Sequence, residues 1–83
     1  MNTIKMTNTR YLQPNRTIET ILIANDGRSK TFFVFNYGGV HFRVFKNIFD
    51  AHESADGNAN IKLVAEFMHE KDLDNFLEET LQV

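Results

Sequence analysis

Cysteine is absent from this 83-residue chain, proline occurs once, at Pro14, and glycine four times, always in a stretch that reads as a turn or a helix end. Without cysteine there are no disulfide staples, thiolate nucleophiles or zinc–thiolate sites, a usage that suits a reducing compartment. No apolar run approaches the roughly 18 residues of a membrane span. The opening MNTIKMTNTR has no apolar centre of a secretory signal. These absences predict a cytoplasmic protein with no membrane partner. A chain this short buries only roughly 60 to 65% of its unfolded surface, which leaves a stability margin of roughly 4 to 12 kcal/mol. So narrow a margin disfavours a strained, desolvated cleft, and the chain is not expected to be an enzyme.

Charge is present but unevenly spread. The formal net charge is −2. Residues 1–45 hold six Lys/Arg against Glu19 and Asp26, a net +4, whereas residues 46–83 hold three Lys against nine Asp/Glu, a net −6. A split of this kind can orient a partner through complementary potential. It also arises wherever carboxylates gather at helix starts and on solvated helix faces.

The order of elements follows from periodicity and turn chemistry. Residues 1–16, rich in Thr and Asn with one weak alternation around Ile4 and Met6, read as an N-terminal arm that is either an edge strand or disordered. Residues 17–83 read as a single α+β domain. Its first strand, residues 17–24, is rich in β-branched side chains and runs into Asn25-Asp26-Gly27, a strong turn signal. Residues 31–37 and 40–45 flank Gly38-Gly39 as a second hairpin, and residues 31–45 contain five of the eight phenylalanines. Asn47 is a good N-cap for a short helix over 48–54, stopped by Asp56-Gly57. Alternation returns over 60–67 as a fourth strand, with Ile61, Leu63, Ala65 and Phe67 on one side. Leu73, Phe76, Leu77 and Leu81 then fall at helical spacing behind Glu70, Asp72 and Asp74. The expected fold is α+β, with an antiparallel three- to four-stranded sheet in βββαβα order and two helices packed on one face.

Parity sorts the aromatic hairpin. With an even-length loop, Phe33, Phe35 and Tyr37 share an uncharged face with Val40, Phe42 and Val44, which is the expected core. The other face carries Phe32, Val34 and Asn36 with His41, Arg43 and Phe45. A two-residue Asp26-Gly27 loop adds Ile21 and Ile23 to that mixed face, and a bulged loop of odd length moves them to the uncharged one. The sequence leaves this register open. Phe32, Val34, His41, Arg43 and Phe45 are therefore the candidate binding residues, because an exposed face of mixed aromatic and polar character marks an interface.

Chemistry-bearing patterns are sparse. His41, His52 and His69 lack the short ligand spacing of a zinc or calcium site, so no metal or cofactor is expected. Ser29 and Ser54 lie in no nucleophile elbow, His69-Glu70 is not part of HExxH, and residues 26–30 lack the spacing of a phosphate-binding loop. The last candidate is an acidic helix face, Glu70, Asp72, Asp74 and Glu78, which could occupy a basic groove by charge mimicry. The expected function is a small non-catalytic protein-interaction module, a regulator or inhibitor of a partner protein. Its Asn, Ile, Phe and Lys usage would suit a phage or mobile element acting on a host machine. The alternative is a sheet for single-stranded nucleic acid that uses Arg43, His41 and exposed aromatics. A homodimer formed through a strand edge is a further expectation.

Overall fold

The computed structural model describes residues 4–13, 15–57 and 62–80. The chain is α+β, with β1 (Ile4–Gln13), β2 (Arg16–Asn25), β3 (Arg28–Tyr37), β4 (His41–Phe45), α1 (Ile48–Ala55), β5 (Ala65–Phe67) and α2 (Glu70–Glu79). The five strands form one antiparallel sheet in the order of the chain, β1-β2-β3-β4-β5. The sheet has more strands than the three or four expected, because the N-terminal segment pairs with β2 almost residue for residue, from Ile4 opposite Ala24 to Tyr11 opposite Thr17. The strand expected over 60–67 is shorter than its alternation suggests. Residues 62–64 lie outside the strand, although the Val64 amide still donates to the Val44 carbonyl at 2.8 Å, and residues 60 and 61 lie outside the described residues. The cause lies in its partner: β4 stops at Phe45 and the chain turns at Lys46-Asn47 into α1, so nothing is left for residues 62 and 63 to pair with.

Two turns set which side chains meet. Asp26 (φ 52°) and Gly27 (φ 76°) close a two-residue loop between the paired Asn25 and Arg28, the type I′ geometry that matches strand twist. Residues directly opposite in an antiparallel pair share a face, so Ile21 and Ile23 join Phe32 and Val34. The second loop is odd. Tyr37 pairs with His41, leaving Gly38, Gly39 and Val40 as a three-residue connection in which both glycines have positive φ. The Asn36 side chain accepts from the Gly39 amide at 2.8 Å and the Tyr37 carbonyl accepts from Val40.

That single extra loop residue overturns the expected faces. With side chains alternating at a period of two, a shift by one moves every β4 side chain to the other side of the sheet. Phe42 and Val44 lie with Phe32 and Val34, whereas His41, Arg43 and Phe45 lie with Phe33, Phe35 and Tyr37. Large apolar residues therefore stand on both faces, and each face has its own helix. The two helices do not pack on one face as expected. Leu73, Leu77 and Phe76 of α2 cover Ile21, Ile23, Phe32, Val34, Phe42 and Val44, and Ala51, Ile48 and Ala55 of α1 cover Ile18, Phe35 and Phe45 on the other side.

The helices begin and end as their sequences dictate. The Asn47 carboxamide oxygen accepts from the Asp50 amide at 2.8 Å, capping α1, and Gly57, with φ 84°, follows its C-terminus. Leu73 and Leu77, four residues apart, form the buried stripe of α2. Phe76 stacks at an angle on Phe67 of β5 and on Phe32 of β3, with ring centroids 5.4 and 5.9 Å apart. Phe42 and Phe45 are 1% and 0% exposed. Complete burial of a side chain of this kind stabilises a fold by about 1.5–3 kcal/mol.

Candidate interaction surface

The five hairpin residues singled out from sequence do not form one surface. Phe32, Val34 and Phe45 are buried, at 4%, 0% and 0% exposure. Phe32 and Val34 lie under α2 and Phe45 lies under α1. They are core residues with no open side. The expectation of a mixed open face assumed an even loop, and the three-residue loop removes it. His41 and Arg43 stay at the surface on the α1 side, where β5 supplies an opposing carboxylate. Arg43 pairs across the strands with Glu66 and its Nε donates to Glu66 Oε2 at 3.0 Å. Its Nη1 donates to the Ser54 hydroxyl on α1 at 3.1 Å. His41 Nε2 donates to the same Glu66 oxygen. Hydrogen bonds from His41 first and Arg43 second hold the Glu66 carboxyl below the ordinary carboxylate value. The cluster ties β4, β5 and α1 together and engages both the His41 ring and the Arg43 guanidinium within the fold.

The acidic helix is also divided. At 100° per residue, Glu70, Asp74 and Glu78 follow one another along one flank of α2, and Asp72 lies on the opposite flank. The contacts orient these flanks. Phe76 leans toward β5, while Asp74 reaches the other way to Lys5 of β1, with Nζ and Oδ1 2.8 Å apart. The Glu70, Asp74 and Glu78 row therefore overlooks the β1 side of the sheet. A cleft of about 250 Å³ lined by Lys5, Ile23, Asp74, Leu77 and Glu78 lies beneath it. No ion pair engages Glu70 or Glu78 among the described residues.

The longest exposed run on any described strand belongs to β1. β1 is the outermost strand, and its side chains are exposed from residue 4 to residue 11. Among the described residues its outer edge meets no other strand, so half of its backbone N–H and C=O groups face outward. A register shift between Tyr11 and Gln13 interrupts this regular run. On the α1 side, Ile4 and Met6 are 56% and 60% exposed. They pair with Ala24 and Leu22, both half-buried, to make an apolar strip that the short α1 does not reach. On the α2 side, β1 presents Lys5, Thr7, Thr9 and Tyr11. The signal available in sequence was the alternation of Ile4 and Met6 with Lys5 and Thr7. It was weak because beyond Met6 the segment runs through the polar Thr7, Asn8, Thr9 and Arg10 with no further apolar alternation.

Among the described residues no group of three or more His, Asp and Glu side chains could hold a metal ion, and no helix is long and apolar enough to cross a membrane. Comparison with protein-family models, with curated proteins and with solved structures gives no match.

Proposed function

We propose that this chain is a non-catalytic protein-interaction module, a regulator or inhibitor that takes a segment of a partner protein onto the open edge of β1. The observation that carries the reading is the edge itself: a ten-residue outer strand, exposed over residues 4–11 and flanked by the Ile4, Met6 and Leu22 strip. An unpaired edge offers main-chain hydrogen bonds to an added strand, and alternating side chains supply selectivity. Proteins usually blunt such edges with lysine, proline or a bulge. Here Lys5 is drawn onto Asp74, Arg10 stands two pleat repeats beyond Met6, and the register shift comes only after Tyr11.

Affinity capture with the wild-type chain, Met6→Lys and Asp72→Lys tests the reading. Met6→Lys places a new charge in the apolar strip beside the edge, whereas Asp72→Lys alters the flank of α2 away from it. A protein ligand held by the wild type and by Asp72→Lys, but weakened by about tenfold or more in Met6→Lys, supports the edge as its site. Full retention by Met6→Lys would move the interface elsewhere.

A further inference from the structure

Resting on the reading of β1 as a docking edge, we propose that its occupant is an extended partner segment alternating basic with apolar residues. The basic side chains lie on the α2 side and the apolar ones on the other. A strand added to β1 continues both faces of the sheet, because residues directly opposite each other point the same way. The two faces at this edge differ in kind. On one side the new side chains fall beside Ile4 and Met6, which stand more than half exposed next to Leu22. Apolar residues there complete a strip that is otherwise open to water.

On the other side the added strand runs below the flank of α2 that carries Glu70, Asp74 and Glu78. That this flank points toward β1 follows from the Lys5–Asp74 ion pair at 2.8 Å, with Phe76 holding the opposite flank toward β5. Lys5 answers one carboxylate of the three, and Glu70 and Glu78 remain exposed with no ion pair to a cation among the described residues. A lysine or arginine opposite Thr7 projects toward this row, clear of the like charge it would meet directly opposite Lys5. A glutamate there meets like charge. The edge thus selects by main-chain pairing and by the sign of the charge on one face.

A second copy of this chain fits less well. Antiparallel pairing of β1 with its two-fold mate keeps like faces together. It therefore brings a second α2, with its own Glu70, Asp74 and Glu78, to the same side of the same seam. The two acidic rows then oppose each other across the axis.

Short end-capped peptides test this with the full chain. One alternates Lys with Val, a second alternates Glu with Val, and a third has the Lys/Val composition with its lysines clustered. Backbone amide resonances locate the site, and titration gives affinity. The alternating Lys/Val peptide is expected to shift β1 amides and to bind at least about tenfold tighter than its Glu/Val counterpart. That preference should be lost in Glu70→Gln/Glu78→Gln, a double substitution at exposed positions whose fold is checked by circular dichroism. Equal binding of the Lys and Glu peptides at β1 would overturn the charge selection while leaving the edge reading intact. Shifts confined to α2, or equal binding of the clustered peptide, would reduce the effect to attraction by the helix and overturn the inference. Concentration-dependent dimerisation in sedimentation, abolished in Met6→Lys, would assign the edge to a second copy instead. If no peptide reaches β1 and the chain stays monomeric, the edge reading itself fails.

Discussion

The two outer strands of the sheet are finished in different ways. β5 is three residues long: Phe67 and Ala65 pack into the α2 core, and Glu66 between them bonds His41 and Arg43. β1 is ten residues long. It is held by pairing with β2, by the Lys5–Asp74 contact and by Leu12 at the rim of the α1 core. One edge is spent on holding the fold together, and the other is left accessible. In a small chain that difference separates positions where substitution should cost stability from positions where it should cost binding.

The largest effect should come from the β4–β5 side. Phe42→Ala removes a ring that is 1% exposed and sits opposite Phe67, and denaturant titration should show a loss of about 3–5 kcal/mol. The corresponding change on β1, Met6→Ala, should fall within about 0.5 kcal/mol. Comparable losses at the two positions would mean that β1 is buried by something and would break the contrast.

A smaller effect is expected at Glu66. Its partners Arg43 and His41 are part-exposed, so Glu66→Gln should cost no more than about 1 kcal/mol, as surface ion pairs do. The pH dependence is the sharper readout. The folded-state pKa of Glu66 is lowered from its ordinary value of 4.5. The stabilisation is therefore fully present above about 4.5 and is lost as pH falls through the folded value. The difference in unfolding midpoint between wild type and Glu66→Gln should shrink on acidification over that range. A gap that stayed constant would place the role of Glu66 in packing alone. The smallest effect belongs to Lys5→Ala. Its ion pair is exposed, with the two side chains at 43% and 41%, and its loss should change stability by about 0.2–1 kcal/mol. A larger loss would show that β1 depends on α2 for its place.

Local chemistry was the legible part of this sequence. Asn47 caps α1 as its type predicts, Asn25-Asp26-Gly27 makes the turn it signals although its two-residue length was left open, and the Leu73, Phe76 and Leu77 spacing yields α2 with its apolar side on the sheet. The faces were not legible, for a specific reason. Gly38-Gly39 allows a two-residue loop or a three-residue loop that includes Val40, and one residue reverses which side of the sheet Phe42, Val44 and Phe45 occupy. A candidate site drawn from those faces inherited the error, so Phe32, Val34 and Phe45 proved to be core. β1 was faint because its order comes from a neighbour. Thr favours strands but Asn does not, and with neither marking a buried face the segment shows little apolar alternation; pairing along β2 supplies what the pattern does not. Exposure of an edge is likewise a property of strand order, which no local pattern encodes.

Amide hydrogen exchange along β1 in the free chain tests the central claim most directly. An open edge predicts alternation over residues 4–11, with amides bonded to β2 protected and those between them exchanging at rates close to an unfolded chain. Uniform protection across the same residues would show that the edge is already covered and would contradict the account.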